Sequence, residues 1–202
     1  MVLPGRVGLP WVARWGIGEI VQVTPDGSRS GRRYPDRQAQ PSQGEEQDVA
    51  RTPKAGEQAP DFELQGTSGP FKLSEHRGER VVLLFYPGDN TPVCLKQMCS
   101  YRDRPEAFAA LDATIVGISA QDLDSHQGFI DKNSLTVPLL ADVDKQVAKA
   151  YSAFGRMGTK RAVIVIDEDG IVRHRHDHLL GLDYQSVDDL KAALDTLPSP
   201  AA

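Results

Sequence analysis

Val81-Val82-Leu83-Leu84-Phe85-Tyr86, running into Pro87-Gly88-Asp89-Asn90-Thr91-Pro92-Val93-Cys94-Leu95-Lys96-Gln97-Met98-Cys99, is the stretch that decides the fold. Residues 81–86 are apolar throughout and rich in strand formers, which predicts a strand buried on both faces at the centre of a parallel sheet. Pro87-Gly88 ends it. Thr91-Pro92 then opens a helix: the threonine hydroxyl can cap free N–H groups, and proline suits the first helical position, where no N–H is needed. This helix is expected to continue to about Ala110.

Outward from this point the pattern stays regular. Upstream, Phe62 to Leu64 and Phe71 to Leu73 read as short strands joined through Gly66-Thr67-Ser68-Gly69, a hairpin. Downstream, Ala113 to Ser119 is a second buried strand, Leu123 to Asn133 a helix, Val137 to Leu140 a short strand and Asp144 to Tyr151 a helix. Ala162 to Ile166 and Ile171 to His176 pair across the turn Asp167-Glu168-Asp169-Gly170. Val187 to Leu197 closes the pattern as an amphipathic helix, with Val187, Leu190, Leu194 and Leu197 on one side. The order predicts an α/β fold with a mixed central sheet, helices on both faces and right-handed crossovers. It is compatible with a thioredoxin-like fold, but other α/β sandwiches share it.

Residues 1–52 differ in kind. Gly, Pro, Arg, Ser and Gln dominate, and apolar patterning is limited to Gly18 to Val23, so a disordered extension is expected ahead of one domain at 53–198. The break is also compatible with a start near Val49. Pro4, Arg6, Pro10 and Arg14 interrupt the apolar residues of the N-terminus, so no signal peptide is expected. No apolar run approaches the roughly 18 residues of a membrane span, and a cytoplasmic location is the default. A formal net charge of -5 gives no reason to expect nucleic acid or an anionic membrane as a partner.

The chain has 2 cysteines, too few for a disulfide scaffold. With Thr91 as N-cap, Cys94 is the third helical residue, beside free N–H groups and the positive end of the helix dipole. Such a position favours thiolate over thiol, and a thiolate can attack an O–O bond and become a sulfenic acid. A second thiol can condense with that acid to a disulfide. Cys99 is the candidate, with a condition attached. Residues five apart on a helix have Cα atoms roughly 8–9 Å apart, whereas a disulfide wants about 7 Å or less. Bond formation therefore requires local unwinding. Two other readings of the pair remain at this level: a general disulfide oxidoreductase, and a metal-binding thioredoxin-fold module that adds a histidine.

Pro87-Gly88-Asp89-Asn90-Thr91-Pro92-Val93-Cys94 resembles the Pro-x-x-x-Thr-x-x-Cys motif of peroxiredoxins. The spacing to Cys99, with Tyr101-Arg102-Asp103 after it, is similar to the bacterioferritin comigratory protein (PrxQ) subgroup. The likeness runs from about Lys54 through Asp169, including Gly56 to Phe62, Gly117-Ile118-Ser119 and Arg161 to Asp167. It implies a thiol peroxidase of thioredoxin-like fold with no cofactor. Cys94 would be the peroxidatic cysteine and Cys99 the resolving one. Thr91 would orient the peroxide, Pro87 would shield the thiolate from water, and Arg161 would stabilise the thiolate and polarise the peroxide. The implied partners are a hydroperoxide and thioredoxin or a similar dithiol reductant, acting on a monomer or weak homodimer. Val93 stands where the subgroup usually has glycine, and Tyr151 to Lys160 is shorter than is typical.

Read without the family, Arg161 is a strand-edge charge beside Lys160. His174, His176 and His178 alternate, as on one face of a strand, and are expected at an exposed strand end. Asp122, Asp124, Asp142 and Asp144 sit at helix starts and are expected to cap them.

Overall fold

A computed structural model describes residues 52–178 and 183–197. The expected extension over 1–52 lies, apart from Thr52, outside the described residues. Among the described residues, no helix is long and apolar enough to cross a membrane.

β1 (Glu63–Gly66) and β2 (Gly69–Lys72) form the expected hairpin, with Leu64 opposite Phe71. A short 3-10 turn over Leu73–His76, not anticipated from sequence, leads to β3 (Val81–Phe85). After α1 (Pro92–Arg102) and α2 (Pro105–Ala109) come β4 (Thr114–Ser119), α3 (Leu123–Asn133), β5 (Leu139–Ala141) and α4 (Gln146–Ala150). A two-stranded hairpin, β6 (Phe154–Gly155) with β7 (Gly158–Thr159), precedes β8 (Ala162–Ile166), β9 (Val172–Asp177) and α5 (Val187–Asp195). The seven-stranded sheet runs β2-β1-β5-β4-β3-β8-β9. β3, β4 and β5 are parallel, and β1 and β8 join them antiparallel. The sheet is mixed, as expected, with a parallel centre.

The period of two along β3 explains why both faces are dry. Val82, Leu84 and Tyr86 enter one core with Met98, Tyr101 and the α5 residues Leu190 and Leu194. Val81, Leu83 and Phe85 enter the other, with Phe71, Ile118 and Tyr151. All five β3 side chains are buried, and each such apolar side chain contributes about 1.5–3 kcal/mol before the cost of ordering it.

The single helix expected from Thr91 to about Ala110 is two helices, and this corrects the reading. Pro105 has no N–H to donate and crowds the residue before it out of helical geometry. Arg104 accordingly sits at φ -128, ψ 58, and Pro105 starts the second helix. Two other boundaries move inward. Pro138 delays β5 to Leu139, and left-handed Lys145 (φ 59) delays α4 to Gln146. The β6–β7 hairpin was missed because only two residues pair on each side.

Candidate active site

The site lies where β3 ends. Thr91 has extended backbone and its hydroxyl accepts from Cys94 N at 3.4 Å, with Pro92 at the head of α1. Cys94 is therefore the third helical residue, as expected. Inside the first turn its sulfur is exposed to the partial positive charge of the helix start. Cys94 is 0% exposed.

Arg161 reaches the same place from the far side of the sequence. β8 runs antiparallel to β3 with Phe85 opposite Ala162, so the residue before β8 stands beside the C-terminal end of β3. Arg161 shares strand parity with Val163 and Val165, which face the core that contains Cys94. Its guanidinium Nη2 donates to Cys94 Sγ at 3.0 Å. Arg161 is 2% exposed, which rules out the solvated strand-edge charge. Its backbone carbonyl accepts from His178 N, holding the start of β8 against the end of β9.

Three of the five expected site residues, Thr91, Cys94 and Arg161, are thus brought together. Pro87 follows buried Tyr86, one residue past the end of β3, but is itself exposed. Cys99 is half-buried, one and a half turns further along α1, and both cysteines are free.

The sequence reading missed a buried relay that carries Arg161. The other terminal nitrogen, Nη1, donates to Gln97 Oε1. Gln97 Nε2 donates to the Tyr101 hydroxyl at 2.9 Å, and that hydroxyl donates to the Gln185 carbonyl at 2.6 Å. Cys94, Gln97, Met98 and Tyr101 form the buried stripe of α1. A glutamine on an otherwise apolar stripe was the signal available in sequence, since buried polar groups need partners. Burial pushes the Tyr101 hydroxyl well above its ordinary value, against hydrogen bonding from Gln97 and the nearby Arg161 charge. It therefore acts as a neutral donor and acceptor.

The histidine row departs from the expected exposed strand end. His176 is exposed, but His174 and His178 are half-buried, with Nε2 atoms lacking a partner among the described residues. Burial, with His176 nearby, lowers both of these histidines below their ordinary value. His174 stands opposite Val165, which enters the core shared with α1 and α5, and the sequence did not show that pairing. Among the described residues no cluster of three or more His, Cys, Asp or Glu is placed to hold a metal. Asp122 caps α3 by accepting from Ser125 N at 2.9 Å, and Asp142 accepts from Val147 N and Ala148 N at the start of α4. Asp124 lies in the first turn of α3, and Asp144 stands ahead of α4, whose N-cap is Lys145 without a side-chain bond.

Residues 55–175 match the model of the AhpC/TSA family. Peroxiredoxin Bcp of Bacillus subtilis is 40% identical over 128 residues, covering 59% of this chain and 82% of the relative. A chloroplastic peroxiredoxin Q of Sedum lineare is 38% identical over 123 residues, covering 58% and 66%. Among solved structures, Peroxidoxin BcpB from Mycobacterium tuberculosis superposes with a TM-score of 0.64 at 32% identity, covering 73% of this chain and 99% of that one. AhpC from the same organism reaches a TM-score of 0.65 at 21% identity, a likeness of fold. Family match, relatives and thioredoxin-like fold agree: the chain belongs to the AhpC/TSA family, among its Bcp and PrxQ peroxiredoxins, and is a thiol peroxidase.

Proposed function

We propose that Cys94 is the peroxidatic cysteine of a peroxidase for hydrogen peroxide and organic hydroperoxides, with Cys99 as its resolving partner. The observation that carries the reading is the buried Arg161 Nη2 donor at 3.0 Å from a sulfur in the first turn of a helix. A guanidinium and a helix N-terminus both favour an anion at that sulfur. The thiolate attacks the terminal oxygen of ROOH. The O–O bond breaks, RO⁻ leaves and takes a proton as ROH, and Cys94 becomes a sulfenic acid. Arg161 and the Thr91 hydroxyl would stabilise charge on the peroxide oxygens. Because Cys94 has no exposed surface, peroxide entry requires a small displacement of its neighbours.

The Cys99 thiol then displaces the sulfenic oxygen as water and forms a disulfide with Cys94. A dithiol reductant such as thioredoxin restores both thiols and leaves as its own disulfide. Pro87 would limit water access, residues 53–198 would form the catalytic domain with residues 1–52 as an extension, and the enzyme would work in the cytoplasm as a monomer or weak homodimer. The test is stopped-flow reaction of the reduced protein with hydrogen peroxide. Cys94→Ser should abolish fast consumption, while Cys99→Ser should keep one turnover and fail to recycle through an intramolecular bond. Fast consumption by Cys94→Ser would end the proposal.

A further inference from the structure

Apart from the cysteine and arginine, the fold buries a second charged pair close to the same loop. Asp89, between β3 and α1, and His126, on α3, have side chains 2% and 0% exposed. His126 Nδ1 lies 2.9 Å from Asp89 Oδ2, and its Nε2 lies 3.2 Å from the Leu140 carbonyl oxygen on β5. A carboxylate and a carbonyl can only accept, so both contacts are hydrogen bonds only when each ring nitrogen carries a proton. Asp89 is equipped as the counter-charge. The Tyr86 hydroxyl donates to its Oδ1 at 2.8 Å and the Ser125 hydroxyl to its Oδ2 at 2.8 Å. Burial acts to raise the Asp89 carboxyl, but hydrogen bonds from His126, Ser125 and Tyr86 outweigh it and hold the group below its ordinary value. Tyr86 is buried, and that burial keeps its hydroxyl protonated and able to donate.

The pair, with Ser125, ties the loop to α3 and β5. Asp89 is two residues from Pro87 and two from Thr91. Asn90, between Asp89 and Thr91, is left-handed at φ 58. Gly88 is pressed against Gln121 in the loop after β4, where a Cβ would lie 2.8 Å from the side-chain amide nitrogen. We infer that the Asp89–His126 ion pair is a positioning device, pinning the Pro87–Thr91 loop to α3 and β5 and so setting the Thr91 hydroxyl and the first turn of α1, which carries Cys94. Neither residue touches the sulfur. They act through Thr91. The catalytic consequence rests on the peroxidase reading above, whereas the charge state of the pair does not.

Two measurements test this. In the reduced wild-type protein near neutral pH, long-range proton–nitrogen correlation spectra should show both ring nitrogens of His126 protonated. A single protonated nitrogen overturns the ion pair. Next, peroxide reaction and Cys94 alkylation by iodoacetamide are timed for wild type, Asp89→Asn, His126→Gln and the double variant, each corrected for its folded fraction by circular dichroism. Alkylation needs an anionic sulfur, whereas peroxide needs an oriented one. Peroxide reaction should fall roughly ten- to hundredfold with alkylation changed less than about threefold, the mark of misplacement by an ångström or so. The double variant should be no worse than either single one, because one interaction is lost in all three. Equal losses in both reactions, or losses that multiply in the double variant, overturn the positioning role. Slow peroxide reaction in the wild type itself would remove the peroxidase reading and the catalytic role together, and the spectrum would still decide the charge state.

Discussion

Replacing Arg161 with methionine removes the donor to Cys94 and leaves an apolar side chain of similar reach. At 3.0 Å, unit charges in an effective dielectric of about 20 attract by roughly 5–6 kcal/mol. That is an upper bound, because both groups give up hydration: Arg161 is 2% exposed and Cys94 0%. A hydrogen bond to a charged group retains about 1.5–3 kcal/mol net, which corresponds to roughly ten- to 150-fold in rate. The peroxide rate constant of Arg161→Met should drop by that factor in stopped flow. Stability should move the other way or not at all. In the reduced protein the guanidinium meets neutral Gln97 and the sulfur, and its Nε has no partner among the described residues. Exchanging a whole buried ion pair for neutral groups is often neutral, or stabilising by about 1–4 kcal/mol, and the variant reaches that state because the sulfur takes up a proton once its cation is gone. The urea midpoint of the reduced variant should therefore be no lower than that of wild type. A variant that consumes peroxide at the wild-type rate refutes the electrostatic role. One that loses activity and stability together makes Arg161 a packing residue instead.

Oxidation offers a second test, because α1 as folded keeps the Cys94 and Cys99 Cα atoms about 8–9 Å apart. Amides of Leu95 to Met98 should lose hydrogen-exchange protection in the disulfide form, and a bonded protein with unchanged protection contradicts this. A third concerns acid. The folded Asp89 carboxyl lies below its ordinary 3.8, so the native state binds fewer protons there than the unfolded chain. Its contribution is complete above the unfolded value and lost as pH falls through the folded one. The stability gap between wild type and Asp89→Asn in urea should be full near neutrality and narrow below about pH 4. A gap of constant size would disprove the linkage.

The strand-to-helix passage at 81–94 was legible because its signals are local. An unbroken apolar run, a Thr-Pro start and a cysteine at a fixed offset each act within a few residues, and the structure places them as read. The core helix α3 was legible to the residue, because an aspartate cap opens it and its period is clear. The break at Arg104 had a local cause as well, Pro105, which the expectation of one helix from Thr91 to about Ala110 did not take into account. What could not be read were partnerships between distant segments. Gln97 meets Arg161 across 64 positions, and Asp89 meets His126 across 37. Each looked like an ordinary polar residue until the sheet order placed them together. The partial burial of His174 and His178 was hidden for the same reason.

The antiparallel seating of β8 against β3 has a consequence for how the molecule matures. Cys94 and its arginine are 67 positions apart, and they meet only once β8 has paired with β3. Synthesis delivers the sulfur first and its cation well after, so under the proposed mechanism a nascent chain at the ribosome would carry the nucleophile without the group proposed to activate it. On that reading, chemical competence would arrive only with the pairing of β8 and β3. Half-made or locally melted molecules would thereby be spared the overoxidation to which an armed but unguarded sulfur would be open.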